Sequence, residues 1–296
     1  MRVLIISDGK NGHLNQSIAF AKYIKSKYDI LTIKPKYAIS KALSYTPLSS
    51  KKLFEYDTKM LNFDYDIVVG SGSSTYAMVL EFAKDYNAKS VAMMLPKGFR
   101  YDRFDTIFAQ AHDNPPAKSN IIITPANFAY IQPQGIYTPT KQSIAIIVGG
   151  DNKHIKLTKS LLASQLQQIK QQFSGYEIAI TTSPRTSQEI SDMVESMEFD
   201  YSVIYAKNPI NPISDFVCKC EYVFITQDST SMISEAISCG KACVEILTAN
   251  STQDNKYTQM LQQLSSQNYI HIYDSKVSNA NAKIDFAIYT RNFKCL

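Results

Sequence analysis

Three loops in the first half of the chain carry side chains able to move a proton or hold an anion. The first, Ser7-Asp8-Gly9-Lys10-Asn11-Gly12-His13, leads from an apolar run into a helical pattern. Gly9 and Gly12 allow a tight turn and close backbone approach, and the free N–H groups of the following helix favour an anion. His13 is its most useful residue, because an imidazole titrating near neutrality can take a proton from a hydroxyl; the alternative is a helix cap. The second loop, Gly70-Ser71-Gly72-Ser73-Ser74-Thr75, offers Gly72 and Ser73 to a phosphate or sugar, although serine at such a junction is also the ordinary N-cap. In the third, His112-Asp113-Asn114-Pro115-Pro116, Asp113 can orient His13 or act as the base itself, or simply close a proline-terminated turn.

The second half repeats this arrangement. Gly149-Gly150-Asp151-Asn152-Lys153-His154 follows a fully apolar strand, its glycines letting a ligand approach and Lys153 offering charge to a diphosphate. Thr182-Ser183-Pro184-Arg185-Thr186 holds one of only five arginines, whose guanidinium at a strand end suits a phosphate or a surface ion pair. The most specific segment is Thr226-Gln227-Asp228-Ser229-Thr230-Ser231-Met232-Ile233-Ser234-Glu235-Ala236, followed by Cys239-Gly240-Lys241. A strand feeds a helix whose first turn holds Ser229, Thr230 and Ser231, so hydroxyls, N–H groups and macrodipole together make an anion site that needs no metal. Glu235 lies one turn beyond Ser231 on the same face, placed to accept from a ribose diol. Taken separately, Asp228 and Ser229 are N-caps and Glu235 a solvated surface position; taken together they favour a nucleotide.

The elements that must position these loops alternate between β-type runs and helical patterns, the signature of parallel α/β architecture. Strands are expected at 3–7, 30–33, 67–69, 90–95, 106–109 and 121–123, with helices at 14–28 and 75–86. A break rich in proline, glycine and polar residues at 132–142 reads as an interdomain linker. The pattern then restarts, with strands at 144–148, 177–181, 202–205, 222–226 and 242–246 and helices at 157–173, 187–198, 213–219 and 231–238. The expected domains are 1–135, 142–282 and a closing helix at 283–296 that packs back across the domains or forms a small amphipathic anchor.

Composition narrows the class. The 296 residues, 45% hydrophobic and 19% charged, can bury a sizeable core, which excludes disorder and a disulfide-built miniprotein. No apolar run approaches the roughly 18–20 residues of a membrane-spanning helix, and the first residues read as a strand of a cytoplasmic protein. Five cysteines without paired metal-ligand spacing read as reduced thiols. The net charge of +5 fits phosphorylated substrates or peripheral contact with an anionic inner-membrane surface, but is too diffuse for nucleic acid. Only 10 glycines are present, six of them in loops expected to line one cleft, where a substrate would approach the backbone.

These motifs together resemble the family of glycosyltransferases named after the plant elongated-mitochondria fission protein. The resemblance is carried by Ser7 to Lys10 with Gly12, His13 and Gln16, by His112-Asp113, Gly149-Gly150 with Lys153-His154, Thr182 to Thr186, and above all Asp228 to Ala236 with Gly240-Lys241. Pro184 and Ala242 depart from the pattern, which tends to have arginine and proline there. The resemblance implies a GT-B fold, two Rossmann-like domains with parallel sheets facing across a cleft, and transfer of a sugar from a nucleotide-sugar donor to a glycan or lipid-linked acceptor in cell-surface glycan or lipopolysaccharide assembly. No cofactor or metal is implied, the nucleotide-sugar being a substrate. On the acceptor side it places Asp8, Gly9, Gly12, Gly72 and Ser73, with His13 as base and His112 or Asp113 as helper. On the donor side it places Gly149, Gly150, Lys153, Arg185, Asp228, Ser229, Ser231, Met232 and Glu235. Rival readings are a nucleotide-sugar epimerase or hydrolase on the same fold and a non-catalytic interaction protein of the fission type.

Overall fold

A computed structural model describes residues 1–43, 45, 50–59, 61, 64–152, 155–249 and 256–293. The chain forms two compact units, Met1–Tyr130 with the segment from Phe286 onward, and Ile131–Asp285.

The first unit runs β1 (Arg2–Ser7), α1 (Asn11–Tyr23), β2 (Lys27–Thr32), β3 (Lys34–Pro35), α2 (Ser40–Leu43), β4 (Phe54–Glu55), β5 (Ile67–Gly70), α3 (Tyr76–Asp85), β6 (Lys89–Ala92), β7 (Thr106–Gln110) and β8 (Ile121–Thr124). Its main sheet has the order β2-β1-β5-β6-β7-β8 and is parallel throughout. Val3 to Ile6 of β1 are at most 1% exposed, the continuous apolar run of a strand covered on both faces. Strands β3 and β4 form a small separate antiparallel pair.

The second unit runs β9 (Ser143–Val148), α4 (Lys159–Gln172), β10 (Glu177–Thr182), α5 (Gln188–Ser196), β11 (Tyr201–Val203), α6 (Ile213–Lys219), β12 (Tyr222–Thr226), α7 (Thr230–Ala236), β13 (Cys243–Leu247), α8 (Lys256–Ser266) and β14 (His271–Ile272). All pairs in its sheet, ordered β11-β10-β9-β12-β13-β14, are parallel. In sequence order this is the 3-2-1-4-5-6 arrangement of a Rossmann-like unit. Successive strands leave the first one in opposite directions, so a crevice opens at the carboxyl ends of β9 and β12, and likewise of β1 and β5. Those two switch points are where the motif-bearing loops emerge.

Several boundaries fall elsewhere than the periodicity suggests. Helix α1 stops at Tyr23, not residue 28, because Lys25 takes a left-handed conformation (φ 53°). Lys25 N–H then bonds the Lys22 carbonyl and Ser26 N–H the Ala21 carbonyl, each at 3.0 Å, a closed Schellman cap that releases the chain into β2. Glycine usually marks such a stop. Here lysine takes its place, and Asn87 and Asn268 do the same after α3 and α8.

The units divide at Tyr130–Ile131, ahead of the linker expected at 132–142. That stretch is strapped to the second unit by two buried carboxylates. Asp215 accepts from Gly135 N (3.1 Å) and Ile136 N (3.0 Å), and Glu177 accepts from Tyr137 Oη (2.7 Å) and Thr140 N (2.8 Å). Past Asp285 the chain enters the first unit as a 3-10 segment, Phe286–Phe293, rather than an α-helix. The Phe286 ring lies 4.7 Å from the Phe128 ring and Phe293 stands edge-on to Phe20 at 5.1 Å, so these two rings pack on that unit. Among the described residues no helix is long and apolar enough to cross a membrane. Cys220 and Cys243 are buried free thiols, while Cys218 and Cys239, with sulfurs 3.9 Å apart, are half-buried.

Candidate functional sites

At the first switch point, the chain leaves β1 through Asp8 and enters α1 at Asn11 without a side-chain cap. The Asp8 carboxylate accepts from Lys10 N at 3.3 Å and from Ser74 Oγ, in the β5 loop, at 2.8 Å. Both carboxylate oxygens also lie 3.1 Å from His13 Nδ1. Burial opposes ionisation of Asp8, but hydrogen bonds from His13 and Ser74 and the imidazole's charge overcome it, holding the carboxyl well below the usual range. An ionised carboxylate only accepts, so His13 carries its hydrogen on Nδ1 and presents Nε2 as an acceptor when neutral. The result is an oriented imidazole whose side chain is 26% exposed over an 8% exposed partner.

Gly72 makes this possible. Its φ is 89°, and a Cβ there would fall 2.4 Å from the His13 ring, so the imidazole lies flat against backbone that only glycine leaves open. The loop is fixed from below by the buried Tyr76 hydroxyl, which accepts from Gly72 N (3.2 Å) and donates to the Met94 carbonyl (3.0 Å).

Other expected residues of this half fall differently. Gly12 is inside α1, its carbonyl accepting from Gln16 Nε2 at 3.3 Å, while Gly9 turns the loop with open space above it. Ser73 is half-buried in the turn, and the serine that reaches Asp8 is its neighbour Ser74. His112 and Asp113 lie at the end of β7, three strands from β1 and therefore about 14 Å away across the sheet. Asp113 takes the ammonium of Lys97 at 2.9 Å, so the residue that orients His13 is Asp8, five positions upstream. A carboxylate and an imidazole bracketing a strand-to-helix turn were the available signal.

At the second switch point Asp228 is the hub. Its fully buried carboxylate accepts from Gly150 N (3.0 Å), Thr226 Oγ1 (2.6 Å) and Arg185 Nη2 (2.6 Å), joining the loops after β9, β10 and β12. A Cβ on Gly149 would meet that carboxylate at 2.2 Å, and Gly149 N donates instead to Thr226 Oγ1 at 2.8 Å. Asn152 Nδ2 reaches the Asp228 carbonyl at 2.9 Å. The space left by the glycines of this loop is therefore filled by the protein, and the N–H groups of Gly149 and Gly150 are already engaged. The Asp228 carboxylate ties these three loops together and is not the N-cap of α7, which is Ser229.

Ser229 is the N-cap of α7, accepting from Met232 N at 3.4 Å. With seven residues, α7 is two turns long, so its dipole is small and the hydroxyls matter more. Arg185 donates through Nη1 to the carbonyls of Gly150 (2.9 Å) and Asp151 (3.2 Å), which leaves Nε–H and one Nη2–H on a side chain 41% exposed. Ser231, Met232 and Glu235 are half-buried on α7. The Glu235 carboxyl has no hydrogen bond or ion pair with a described residue, and burial pushes it up to about 7. Lys153 and its neighbour His154 lie outside the described residues. No group of three or more His, Cys, Asp or Glu among the described residues is placed to hold a metal ion.

The family description Mitochondrial fission ELM1 matches residues 11–287 of the chain. The uncharacterized protein RP120 of Rickettsia prowazekii (strain Madrid E) is 24% identical over 328 residues, covering 94% of this chain and 92% of that protein. Among solved structures, MurG of Acinetobacter baumannii is similar at 12% identity with a TM-score of 0.54 over 99% of both chains. A UDP-GlcNAc 2-epimerase of Methanocaldococcus jannaschii is similar at 14% identity with a TM-score of 0.49, again over 99% of both. The fold is GT-B-like, an α/β chain of two Rossmann-like units.

Proposed function

The chain belongs to the mitochondrial fission ELM1 family, and from that premise and its GT-B-like fold we propose that it moves a sugar from a nucleotide-activated donor to an acceptor hydroxyl. The observation that carries this reading is the Asp8–His13 pair at the first switch point, an imidazole held by an ionised carboxylate with Nε2 available. Nε2 takes the acceptor proton as the hydroxyl oxygen bonds to the anomeric carbon. The bond from that carbon to the diphosphate breaks, and the nucleoside diphosphate leaves with the electron pair. Asp8 stabilises the imidazolium that forms. In this scheme the acceptor, a glycan or lipid-linked hydroxyl, lies on the first unit and the donor on the second.

On the donor side, the remaining N–H groups of Arg185 and the Ser231 hydroxyl take the diphosphate. Glu235 takes the ribose diol, which supplies the hydrogen bonds its carboxyl otherwise lacks. Asp228, itself held by the Thr226 hydroxyl, positions Arg185 from beneath. His112 and Asp113 have no part in the transfer step in this scheme.

A thermal-shift panel of UDP-, GDP-, CMP- and ADP-sugars, followed by product analysis with the labelled form of any that binds, tests the proposal. At least one donor should raise the melting temperature, the shift should fall in Glu235→Ala, and labelled sugar should reach an acceptor only when His13 is present. Stabilisation by none of them counts against nucleotide-sugar chemistry. Release of free or epimerised sugar without transfer favours the hydrolase or epimerase.

A further inference from the structure

The second unit has another concavity, at the opposite end of its sheet from Asp228 and Glu235. A cavity of about 590 Å³ opens beneath the amino ends of β9, β12 and β13, within the size range of small-molecule sites. The strand length alone separates it from the donor loops by about 17 Å. Its walls bring together Lys141, Lys219 and Lys241 with the amides of Asn279 and Asn281, against one carboxylate, Glu221.

The charges are not equivalent. Lys219 is a fixed cation, bonded to Asp215 at 3.1 Å and to Thr138 Oγ1 at 3.0 Å, so Asp215 balances it locally. Lys141 and Lys241 are exposed and form no ion pair or hydrogen bond with a described residue. The lining of the hollow itself carries three ammonium groups against the one carboxylate of Glu221, with Glu177 acting on Lys141 from outside it, which gives the walls a positive character.

The asparagines are set by backbone. Residues 279–281 run beside β13, with Val244 N donating to the Ala280 carbonyl at 3.2 Å and Ala280 only 4% exposed. In such an extended stretch alternate side chains share a face, so burial of Ala280 turns Asn279 and Asn281 together toward the cavity.

We propose that this cavity binds a phosphate ester of a small polyol. Lys141 and Lys241 take the anionic oxygens, Asn279 and Asn281 take the bridging oxygen and hydroxyls, and Glu221 accepts from a hydroxyl of the polyol. The same chemistry is presented by a free phosphorylated metabolite and by a glycerophospholipid headgroup. The site is separate from the proposed donor site and does not depend on it.

The test uses calorimetry with glycerol 3-phosphate and flotation with vesicles of phosphatidylglycerol in phosphatidylcholine, pure phosphatidylcholine serving as background. Wild type is compared with K141Q/K241Q and with R185Q. Neither lysine makes a bond in the fold, so the double variant should melt with wild type. Binding should be equal in wild type and R185Q and weaker by roughly tenfold in K141Q/K241Q. Glycerol phosphate binding identifies a soluble ligand, and binding to the vesicles alone identifies a headgroup. The proposal is overturned if neither probe binds, if K141Q/K241Q binds like wild type, or if R185Q abolishes the signal.

Discussion

Replacing Asp228 separates a strut from a ligand contact. In Asp228→Ala two buried donors, Gly150 N–H and the Thr226 hydroxyl, lose their acceptor, at about 1–3 kcal/mol each. Arg185 also loses its partner, but its side chain is 41% exposed and water replaces the carboxylate, so that loss is at most about 1 kcal/mol. The total is about 2–7 kcal/mol, and its middle value lowers the melting temperature by roughly 10 °C at about 2–4 °C per kcal/mol. Asp228→Asn keeps the shape and one acceptor oxygen, and should cost about half as much. The chain has no tryptophan, so far-UV circular dichroism during urea unfolding is the suitable measurement. A cycle with Arg185→Gln should return a coupling of about 1 kcal/mol or less, because that partner faces solvent. If Asp228→Ala unfolds within about 1 kcal/mol of wild type, the strut is refuted and direct contact with a ligand becomes the better account.

Glu235 has its carboxyl raised to about 7 by burial, and a diol that hydrogen-bonds the ionised form must displace a proton below that pH. Nucleotide affinity should therefore rise with pH up to about 7 and then level off, with proton release visible by calorimetry in buffers of different ionisation enthalpy; Glu235→Gln should flatten the profile. Asp8 is held below its ordinary value of 3.8, so it contributes stability above that value and loses it as pH falls through the lower folded value. The stability gap between wild type and Asp8→Asn should close below about pH 4, as read by urea titrations across the acid limb. Gly72→Ala places a Cβ 2.4 Å from the His13 ring, so it should abolish transfer while leaving nucleotide binding on the second unit intact. Lys25→Gly relieves a left-handed lysine at a helix end and should stabilise by about 0.5–1 kcal/mol in the same urea assay.

Much of the architecture was legible because parallel strands buried on both faces appear as unbroken apolar runs, as at Val3 to Ile6 and Ile144 to Val148. The loops with chemistry were legible too, since they sit where such a run meets a helical pattern. What the sequence concealed was pairing at a distance. Asp8 and Ser74 are 66 positions apart, and Asp228 and Gly150 are 78 apart. Nothing local announces that the Asp228 carboxylate joins Gly150 N–H, the Thr226 hydroxyl and Arg185. Proline and glycine at 132–142 read as an interdomain linker, but its ties to Asp215 and Glu177 through Gly135, Ile136 and Thr140 N–H could not be read, because those carboxylates lie far along the chain. The end of α1 was missed where Lys25 replaced the glycine that normally signals it. Helix α8, whose buried Met260, Leu261 and Leu264 share a face, was not read, nor was the edge strand β14, which is two residues long.

The return of Phe286–Phe293 to the first unit also sets an order of events during synthesis. Residues 131–285 are contiguous and emerge from the ribosome with every contact partner of their own unit already made. The first unit begins earlier but finishes later, because the rings of Phe20, Phe108 and Phe128 keep an uncovered apolar face until Phe286 and Phe293 arrive. Domains usually mature in the order of their translation. Here the unit bearing the Asp8–His13 pair is closed only after the second unit has been translated, and a chain interrupted before Phe286 would leave that aromatic surface exposed to aggregation.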